Sequence, residues 1–375
     1  MTPWSLLESS SRWSVRRLGK GLLALVVVVA ALPVVAAPPP VVRVLVGEDT
    51  GDRIVLNCTV GEHSEIPAPI GGDKWVHLSL PGEPLTMIAG EPALPRVCRS
   101  VVILDDAKME VRVLAADFED VGDVAVAPSK GNLLRTVNPA DVPYEFGPVY
   151  RQNAFYPGPL AALREPYILR DLRAVTVELN PFQYNPVTRT LRVYRSVSLE
   201  VVRTGADTVN VPDRSLRSTR PSRAFESVYR SRFVNYASGL RYASMDEEGD
   251  MLIICHDAWL ANVQPLAVHK TARGINTTVV GVSTIGNNST SIKNYIQNVY
   301  NTSNLAFVLL VGDAAQVATP SSGGGAADPT YAKVAGGDDY PDIIVGRFSA
   351  ETAAHVDTQV ERTITYENLP APLQN

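Results

Sequence analysis

The feature that most constrains the fold of this chain is a change of hydrophobic periodicity at about Gly249. Upstream, short runs with apolar residues at alternate positions are separated by turn signals such as Gly51-Asp52, which is typical of β-strands. Downstream, short continuous apolar runs alternate with helical patterns, which is typical of parallel strands covered by helices. The sequence therefore predicts two parts with different architectures.

The upstream part, from Val41 to about Val202, contains short β-type runs and no convincing helical stripe. This pattern favours an antiparallel sandwich or barrel, and we predict an all-β, sandwich-like fold for residues 37–205. Its last two runs, residues 174–180 and 191–202, each alternate apolar and polar side chains and are separated by a loop rich in proline and asparagine. We expect them to form a hairpin with one buried face.

The downstream part, residues 249–375, contains four apolar runs of the buried, parallel-strand kind, at residues 251–255, 277–282, 307–311 and 343–348. A helical pattern covers residues 292–300, with Ser289 or Thr290 as the expected N-cap. The segment before Gly274 contains Pro265, which we expect to begin the regular part of its helix. These patterns predict a doubly wound α/β unit, whose functional sites belong at the carboxyl ends of its strands.

Residues 206–248 lose the strand alternation and are rich in arginine, which predicts a linker between the two parts. Exposed arginines in an exported protein are natural sites for trypsin-like cleavage, although a merely solvated tether has the same composition. The arginines stand at positions 214, 217, 220, 223, 230, 232 and 241.

The first 36 residues follow the pattern of a secretory signal, with a basic stretch, an apolar run and small residues before Pro38. The alternative is a membrane anchor, but the run contains Pro33 and is short for a bilayer span. Export to the cell surface or medium is therefore expected. Removal of this segment takes away four basic residues and one acidic residue, which changes the formal charge from −5 to −8. We find no basic stripe for nucleic acid and no second apolar run that would span a membrane.

Three cysteines are too few for a disulfide framework. Export makes one bridge between Cys58 and Cys98 conceivable, and the alternative is a pair of buried free thiols. Cys255, His256 and Asp257 resemble a nucleophile with its base and acid. However, successive strand residues point to opposite faces, so we expect no catalytic dyad there.

Glycine-rich segments also invite comparison with phosphate-binding loops. Gly312 follows a predicted strand, and Gly323, Gly324 and Gly325 lie in a later loop. Because neither segment has the G-x-G-x-x-G or G-K-[ST] pattern, we do not predict nucleotide binding.

An acidic cluster is the better signal. Asp313 follows a predicted strand, while Asp338, Asp339 and Asp342 crowd the turn before the next one. Carboxylates and turn carbonyls gathered at one edge of a sheet are the ligands that Ca²⁺ prefers. A solvated acidic turn is the alternative.

Several motifs, taken together and in order, resemble the gingipain-type cysteine peptidases of family C25, clan CD. The downstream motifs are FVLLVGD at residues 307–313, DDYPDIIVGRFS at 338–349 and QVERTITYE at 359–367. The upstream motifs FYPG at 155–158, YILRD at 167–171 and PFQYNPVT at 181–188 resemble the β-rich propeptide of that family.

The resemblance implies a caspase-like α/β catalytic subdomain, a cysteine nucleophile and a histidine base that follow the part of the domain matched here. No residue of this chain therefore receives a catalytic role, and we expect the 375-residue chain alone to be inactive. The resemblance also implies protein or peptide substrates for the longer parent and a contact between propeptide and catalytic domain. Its calcium ligands carry over onto Asp313, Ala335, Asp338, Tyr340 and Asp342.

Two interpretations of the whole chain follow. The first is the front part of an exported cysteine endopeptidase precursor, either as a fragment of a longer gene product or as a natural truncation. The second is a non-catalytic, exported binding or adhesion module that is stabilised by calcium and uses its β-rich part for recognition.

Overall fold

The computed structural model describes residues 41–72, 74–215, 222–236 and 248–370. The predicted signal sequence lies outside these ranges. Twelve strands, numbered β1 to β12, are described in the upstream part, which we call the β-rich half: Val42–Asp49, Arg53–Val60, Ser64–Pro67, Trp75–Ser79, Val97–Val102, Ala107–Val121, Ala125–Val126, Ala161–Leu163, Tyr167–Leu169, Leu172–Leu179, Phe182–Asn185 and Thr190–Ala206.

Three sheets organise the β-rich half. The first has the order β1-β2-β12-β11, with β6 also paired to β12, and all its pairs are antiparallel. The second is formed by β5, β8 and β9 around β10, and the third has the order β3-β4-β7. Buried apolar side chains from all three sheets form one core, in which alternate residues of β12 take part. The β-rich prediction is therefore confirmed for the described residues.

The expected hairpin between residues 174–180 and 191–202 is wrong. Strand β10 pairs with β5, β8 and β9 in the second sheet, whereas β12 lies in the first sheet. The partner of β12 across the short loop is instead β11, in which Phe182 faces Val193. The chain therefore changes sheets between Leu179 and Phe182, at Asn180-Pro181, because proline cannot donate to a strand ladder.

Cys58 and Cys98 are free thiols in this structure. Cys58 lies in the first sheet on β2, and Cys98 lies in the second sheet on β5. Burial raises the pKa of the Cys58 thiol to about 11. Of the two alternatives for this pair, the structure contains free thiols, of which Cys58 is buried and Cys98 is half-buried.

The predicted linker contains a helix, α1, at Arg223–Arg232. Its buried Phe225 and Tyr229 pack with Phe233 against the β-rich half, and Val234 donates a backbone hydrogen bond to Ser100. Residues 222–236 of the predicted linker are therefore packed on the β-rich half rather than forming a solvated tether. Three apolar side chains at positions 225, 229 and 233 have helical spacing, a signal that the arginines obscured.

The downstream part, which we call the α/β unit, has a four-stranded parallel sheet of order β14-β13-β15-β18. Its strands confirm the four predicted apolar runs. Chain order places β13 to β18 at Asp250–Cys255, Thr277–Gly281, Leu305–Val311, Ser321–Ser322, Gly325–Ala326 and Ile344–Phe348. Helices α2 to α5 occupy Leu260–Ala272, Val282–Ile285, Ser289–Thr302 and Ala353–Glu367.

Helices cover both faces of this parallel sheet, as its continuous apolar strands require. Leu252 and Ile254 face a core that includes Ile292 and Ile296 of α4. Ile253 faces the opposite core with α2 and α5. Thus the doubly wound arrangement is confirmed, and consecutive residues of β13 serve different cores because strand side chains alternate between faces.

Two helix boundaries differ from expectation. Helix α2 begins at Leu260 and carries Pro265 inside it, at the cost of one backbone hydrogen bond. Helix α4 is capped by Asn288, whose side chain accepts from the Ser291 amide, one residue earlier than predicted. None of the helices in the described ranges has the length and hydrophobicity of a membrane-spanning segment.

Arg347 of β18 stabilises the long connection between β15 and β18 through an ion pair and hydrogen bonds. Its guanidinium forms a two-pronged ion pair with Asp328, with Nε–Oδ2 and Nη2–Oδ1 distances of 2.7 and 2.8 Å. It also donates to the carbonyls of Gly312 and Val317. The hydrogen bonds and charge of Arg347 lower the pKa of Asp328.

We predict that Asp328→Asn lowers the free energy of unfolding at pH 7 by about 2 kcal/mol, because it leaves a half-buried guanidinium short of its charge partner. A depressed carboxyl pKa stabilises the fold above its unfolded value of about 3.9, and this contribution disappears as the pH falls through the folded value. The difference between wild type and variant should therefore shrink in urea unfolding at pH 3. Asp339→Asn, at a side chain that is 93% exposed, should change stability by less than about 0.5 kcal/mol. Equal effects of the two variants would contradict this assignment.

Candidate functional site

The acidic loop, defined as residues 333–342, lies between a 3-10 helix at Asp328–Ala332 and strand β18. Its ends are tied together, since the Asp342 amide donates to the Ala332 carbonyl. Gly336 has a φ of 71°, and a Cβ there would lie 2.9 Å from a carboxylate oxygen of Asp338. Glycine therefore allows the loop to fold back closely on its own carboxylates.

Asp342 is fully buried at the base of the acidic loop. Its Oδ2 accepts from the amides of Val334 and Ala335, and its Oδ1 accepts from the amide of Arg170 in the β-rich half at 2.8 Å. Burial raises the pKa of Asp342 to about 7, the nearby Asp338 adds to that rise, and the three amides oppose it. A buried carboxylate is thus held by donors from both halves of the molecule.

Asp338 also contacts the β-rich half. Its Oδ2 accepts from the amide of Ile168 at 2.8 Å, and its Oδ1 accepts from the amide of Tyr340. Ile168 lies in β9, which pairs only with β10 among the described strands, so its outer edge is open. Two carboxylates of the acidic loop therefore satisfy the amides of Ile168 and Arg170, which would otherwise be exposed at a strand edge and turn.

Arg170 forms several hydrogen bonds across the contact between the halves. Its side chain is fully buried, and its φ of 52° places it in the left-handed region, in the turn between β9 and β10. The guanidinium donates to the Leu305 carbonyl at 2.6 Å, to Asn304 Oδ1 at 2.9 Å and to the Asp342 carbonyl at 3.2 Å. It also forms an ion pair with Asp171. The positive charge of Arg170 is therefore paired within the β-rich half, by Asp171, whereas its guanidinium donates hydrogen bonds to acceptors of the α/β unit.

Aromatic side chains surround this polar contact. Tyr167 of β9 stacks on Tyr340 of the acidic loop with ring centroids 3.8 Å apart, and Arg232 of α1 donates to the Tyr340 hydroxyl. Phe225 of α1 lies under the Arg170 guanidinium. Together with Ala306, these residues form an apolar cluster shared by both halves, which keeps water from the buried charges.

The predicted calcium ligands are not brought together as a set of five. Ala335, Asp338, Tyr340 and Asp342 share the acidic loop, but Asp313 follows β15 and accepts a hydrogen bond from Ser349, beyond the end of β18. The register pairs Phe307 with Ile344 and Val311 with Phe348, so Asp313 and Asp342 lie at opposite ends of the parallel sheet.

The physical reason is strand direction. Asp313 follows a strand, whereas Asp338 and Asp342 precede one. In a parallel sheet all strands run in the same direction, so these positions lie at opposite ends of the strands. Within the described part of the chain, no group of three or more His, Cys, Asp or Glu side chains is arranged to hold a metal. Because the carboxylate oxygens of Asp338 and Asp342 accept amide hydrogens, this arrangement does not fit the predicted cation.

Cys255 and His256 occupy the carboxyl end of β13. The Cys255 thiol is fully buried and contacts the His256 carbonyl oxygen at 3.3 Å, while the His256 ring packs edge-on against Trp259. Burial raises the pKa of Cys255 to about 12. This geometry is that of an inert structural cysteine and agrees with the strand-alternation reasoning.

Sequence reasoning missed the residues that hold the acidic loop. The sequence analysis predicts no role for Ile168, Arg170 or Asn304, although the motif YILRD contains two of them and Arg170-Asp171 separates two apolar runs as a turn would. The only local signal is a charged Arg-Asp pair between two strands, and because such a pair is ordinarily exposed, it does not predict a buried contact. Its burial depends on a partner about 135 residues away.

The β-rich half is thus docked on the α/β unit through a buried arginine. Residues 78–241 match the C25 propeptide family, and residues 244–375 match peptidase family C25. The chain belongs to the gingipain-like C25 peptidase family.

Curated relatives include Gingipain R1 of Porphyromonas gingivalis, which is 35% identical over 284 residues, covering 74% of this chain and 28% of that protein. Gingipain R2 of the same organism is 34% identical over 287 residues, which covers 74% of this chain and 38% of that protein. The chain therefore spans about a quarter to two fifths of their length. A solved complex of the Porphyromonas gingivalis RgpB pro- and mature domains has a TM-score of 0.47 and 30% identity, with 52% of this chain and 97% of that chain covered.

We predict that Arg170→Ala loosens the contact between the halves. The variant leaves Asp171 and the acceptors of the α/β unit without a buried charge partner, which typically costs about 3–5 kcal/mol. Hydrogen exchange measured by mass spectrometry should speed up in the acidic loop and in residues 166–172.

The matched control is Arg192→Ala, because Arg192 pairs with Asp120 within the first sheet of the β-rich half. It should leave the acidic loop protected. Unchanged exchange in Arg170→Ala would contradict the assigned role of this arginine.

Proposed function

We propose that this chain is the front part of an exported cysteine endopeptidase precursor, in which a propeptide docks on the beginning of the catalytic domain. The observation that carries the proposal is the succession of the two family matches, together with the buried contact of Arg170 between the matched segments. The parallel sheet with helices on both faces supports a caspase-like subdomain. The core shared by the sheets of the β-rich half supports a sandwich-like propeptide.

The chemistry of the parent is peptide-bond cleavage through a thioester, with a thiolate nucleophile activated by a histidine. We assign both groups to residues beyond the matched part of the peptidase domain. Cys255 is excluded from this role because its thiol is buried and its raised pKa disfavours the thiolate. Substrates are proteins or peptides, and the first 36 residues direct export.

The β-rich half serves, in this proposal, as the propeptide that shields the acidic loop until it is removed. Its removal requires cleavage between the halves, where the sequence places several arginines. Arg214 is engaged with Asp105, and Arg230 with Glu226 on helix α1. Arg217, Arg220 and Arg241 lie outside the described residues.

We predict that purified residues 37–375 show no thiol-dependent hydrolysis of a peptide library, whereas the product extended by the following sequence of the gene hydrolyses peptides. Cys255→Ala in the extended product should retain activity, since the thiol does no chemistry. Loss of activity in that variant, despite an unchanged melting temperature, would overturn the assignment. An extended product that folds without any peptidase activity would favour the binding or adhesion module.

A further expected result concerns the cleavage site. Limited trypsin treatment should cut at Arg217 or Arg241 before Arg214 or the arginines of α1, because Arg214 is held in an ion pair and the α1 arginines lie in or beside a packed helix, so those segments must first open locally. The measurement is mass spectrometry of early fragments. The double variant Arg217→Gln and Arg241→Gln should slow the first cut. Early cutting inside residues 41–200 would argue against a separately folded propeptide.

A further inference from the structure

Segment 222–236, which contains helix α1, folds mainly against the β-rich half. Its buried Phe225, Tyr229 and Phe233 pack in a cluster with side chains of strands β9 and β10. The Tyr229 hydroxyl donates to Asp171 Oδ2 at 3.0 Å, beside the buried Arg170. A helix of ten residues is marginal in water by itself, so α1 depends on this packing for its stability.

The residues that follow α1 close an edge of strand β5. Among the described strands β5 pairs only with β10, and at its other edge the Val234 amide donates to the Ser100 carbonyl at 3.1 Å. Two residues along β5, the side chain of Asn235 takes the place of a backbone. Its Oδ1 accepts from the Val102 amide at 2.8 Å, and its Nδ2 donates to the Val102 carbonyl at 3.0 Å. The segment therefore pairs with the sheet edge as an added strand does.

Contacts of this segment with the α/β unit lie at the two ends of α1. At the start, the Ser222 hydroxyl donates to the Glu248 carbonyl at 2.6 Å. At the end, Arg232 donates to the Tyr340 hydroxyl at 3.1 Å. The buried aromatic side chains between these ends pack on the β-rich half, although α1 directly precedes the α/β unit in the chain.

We propose that segment 222–236 is a clasp, which ties the α/β unit to the β-rich half and stays bound to the β-rich half when the chain is cut. Cleavage positions on the two sides of α1 are then not equivalent. If a peptide bond before α1 is hydrolysed, the clasp stays joined to the α/β unit and docked on β5, so the β-rich half is retained. If a bond behind α1 is hydrolysed, the clasp leaves with the β-rich half. The inference rests on the proposed release of the β-rich half.

The difference follows from the interface that each cut leaves. After a cut before α1, release must break the pairing of Asn235 with Val102 and the hydrogen bond of Tyr229 to Asp171, in addition to the contacts of Arg170. Buried donors and acceptors that lose their partners make this step costly. After a cut behind α1, the same contacts remain intact inside the released piece. Release thus depends on the position of the cut and not on cleavage alone.

The first test compares two variants of the purified chain that each keep one of the two trypsin sites beside α1. Arg241→Gln is cut at Arg217, before the clasp, and Arg217→Gln is cut at Arg241, behind it. Each chain is immobilised through its carboxyl end, the cut is verified by mass spectrometry, and the dissociation rate of the β-rich half is measured. Dissociation should be at least about tenfold slower from the Arg241→Gln chain. Equal rates, or faster dissociation from that chain, would overturn the proposal.

The second test weakens the clasp itself. Asn235→Ala removes the pairing with Val102 and should speed up dissociation from the cut Arg241→Gln chain about tenfold. In the cut Arg217→Gln chain, where the clasp leaves with the β-rich half, the rate should change by less than about twofold. An unchanged rate in the Arg241→Gln chain would refute the clasp. If Asn235→Ala does not fold, the comparison of the two cut chains decides.

The matched control is Arg230→Ala, because Arg230 pairs with Glu226 on the exposed side of α1. It should alter neither dissociation rate, since an exposed ion pair contributes little. Both tests measure dissociation and not peptidase activity, so failure of the clasp remains distinguishable from failure of the proposed enzymatic function.

Discussion

The buried guanidinium of Arg170 is the interaction on which the rest of the structure depends. Burying a cation away from water is costly unless its charge is paired and its N–H groups find acceptors. The acceptors of Arg170 include Leu305, Asn304 and Asp342 of the α/β unit, and its charge is paired with the neighbouring Asp171. The β-rich half cannot satisfy this side chain by itself. Docking of the two halves is therefore built into the turn between β9 and β10.

The polarity of the parallel sheet decides where that docking occurs. Asn304 and Leu305 stand at the amino end of β15, and the acidic loop enters β18 from the same side. The carboxyl ends of the strands, where α/β units usually place their chemistry, carry Cys255-His256 and Asp313 instead. In the described residues, the β-rich half therefore contacts the sheet at the amino ends of its strands, opposite to the carboxyl ends.

Much of the architecture follows from hydrophobic periodicity. The four parallel strands and most β-rich strands were predictable because their burial depends on local patterns. What escaped prediction depends on distant partners: β10 and β12 lie in different sheets although their patterns suit a hairpin, and α1 is stabilised by packing on the β-rich half. The placement of Asp313 needed strand direction as well as sequence proximity, and Arg170 is buried only because Asn304 and Leu305 receive it.

The most direct test of this account is a double-mutant cycle between Arg170→Ala and Asn304→Ala, read from urea unfolding of the purified chain. Arg170 Nη2 lies 2.9 Å from Asn304 Oδ1 across the two halves. If this contact holds the halves together, the coupling energy should be about 1–2 kcal/mol, as for other buried contacts. The pair Arg192→Ala and Asn304→Ala should be additive, because Arg192 pairs with Asp120 within the first sheet. Additivity within about 0.3 kcal/mol for Arg170 and Asn304 as well would contradict the account.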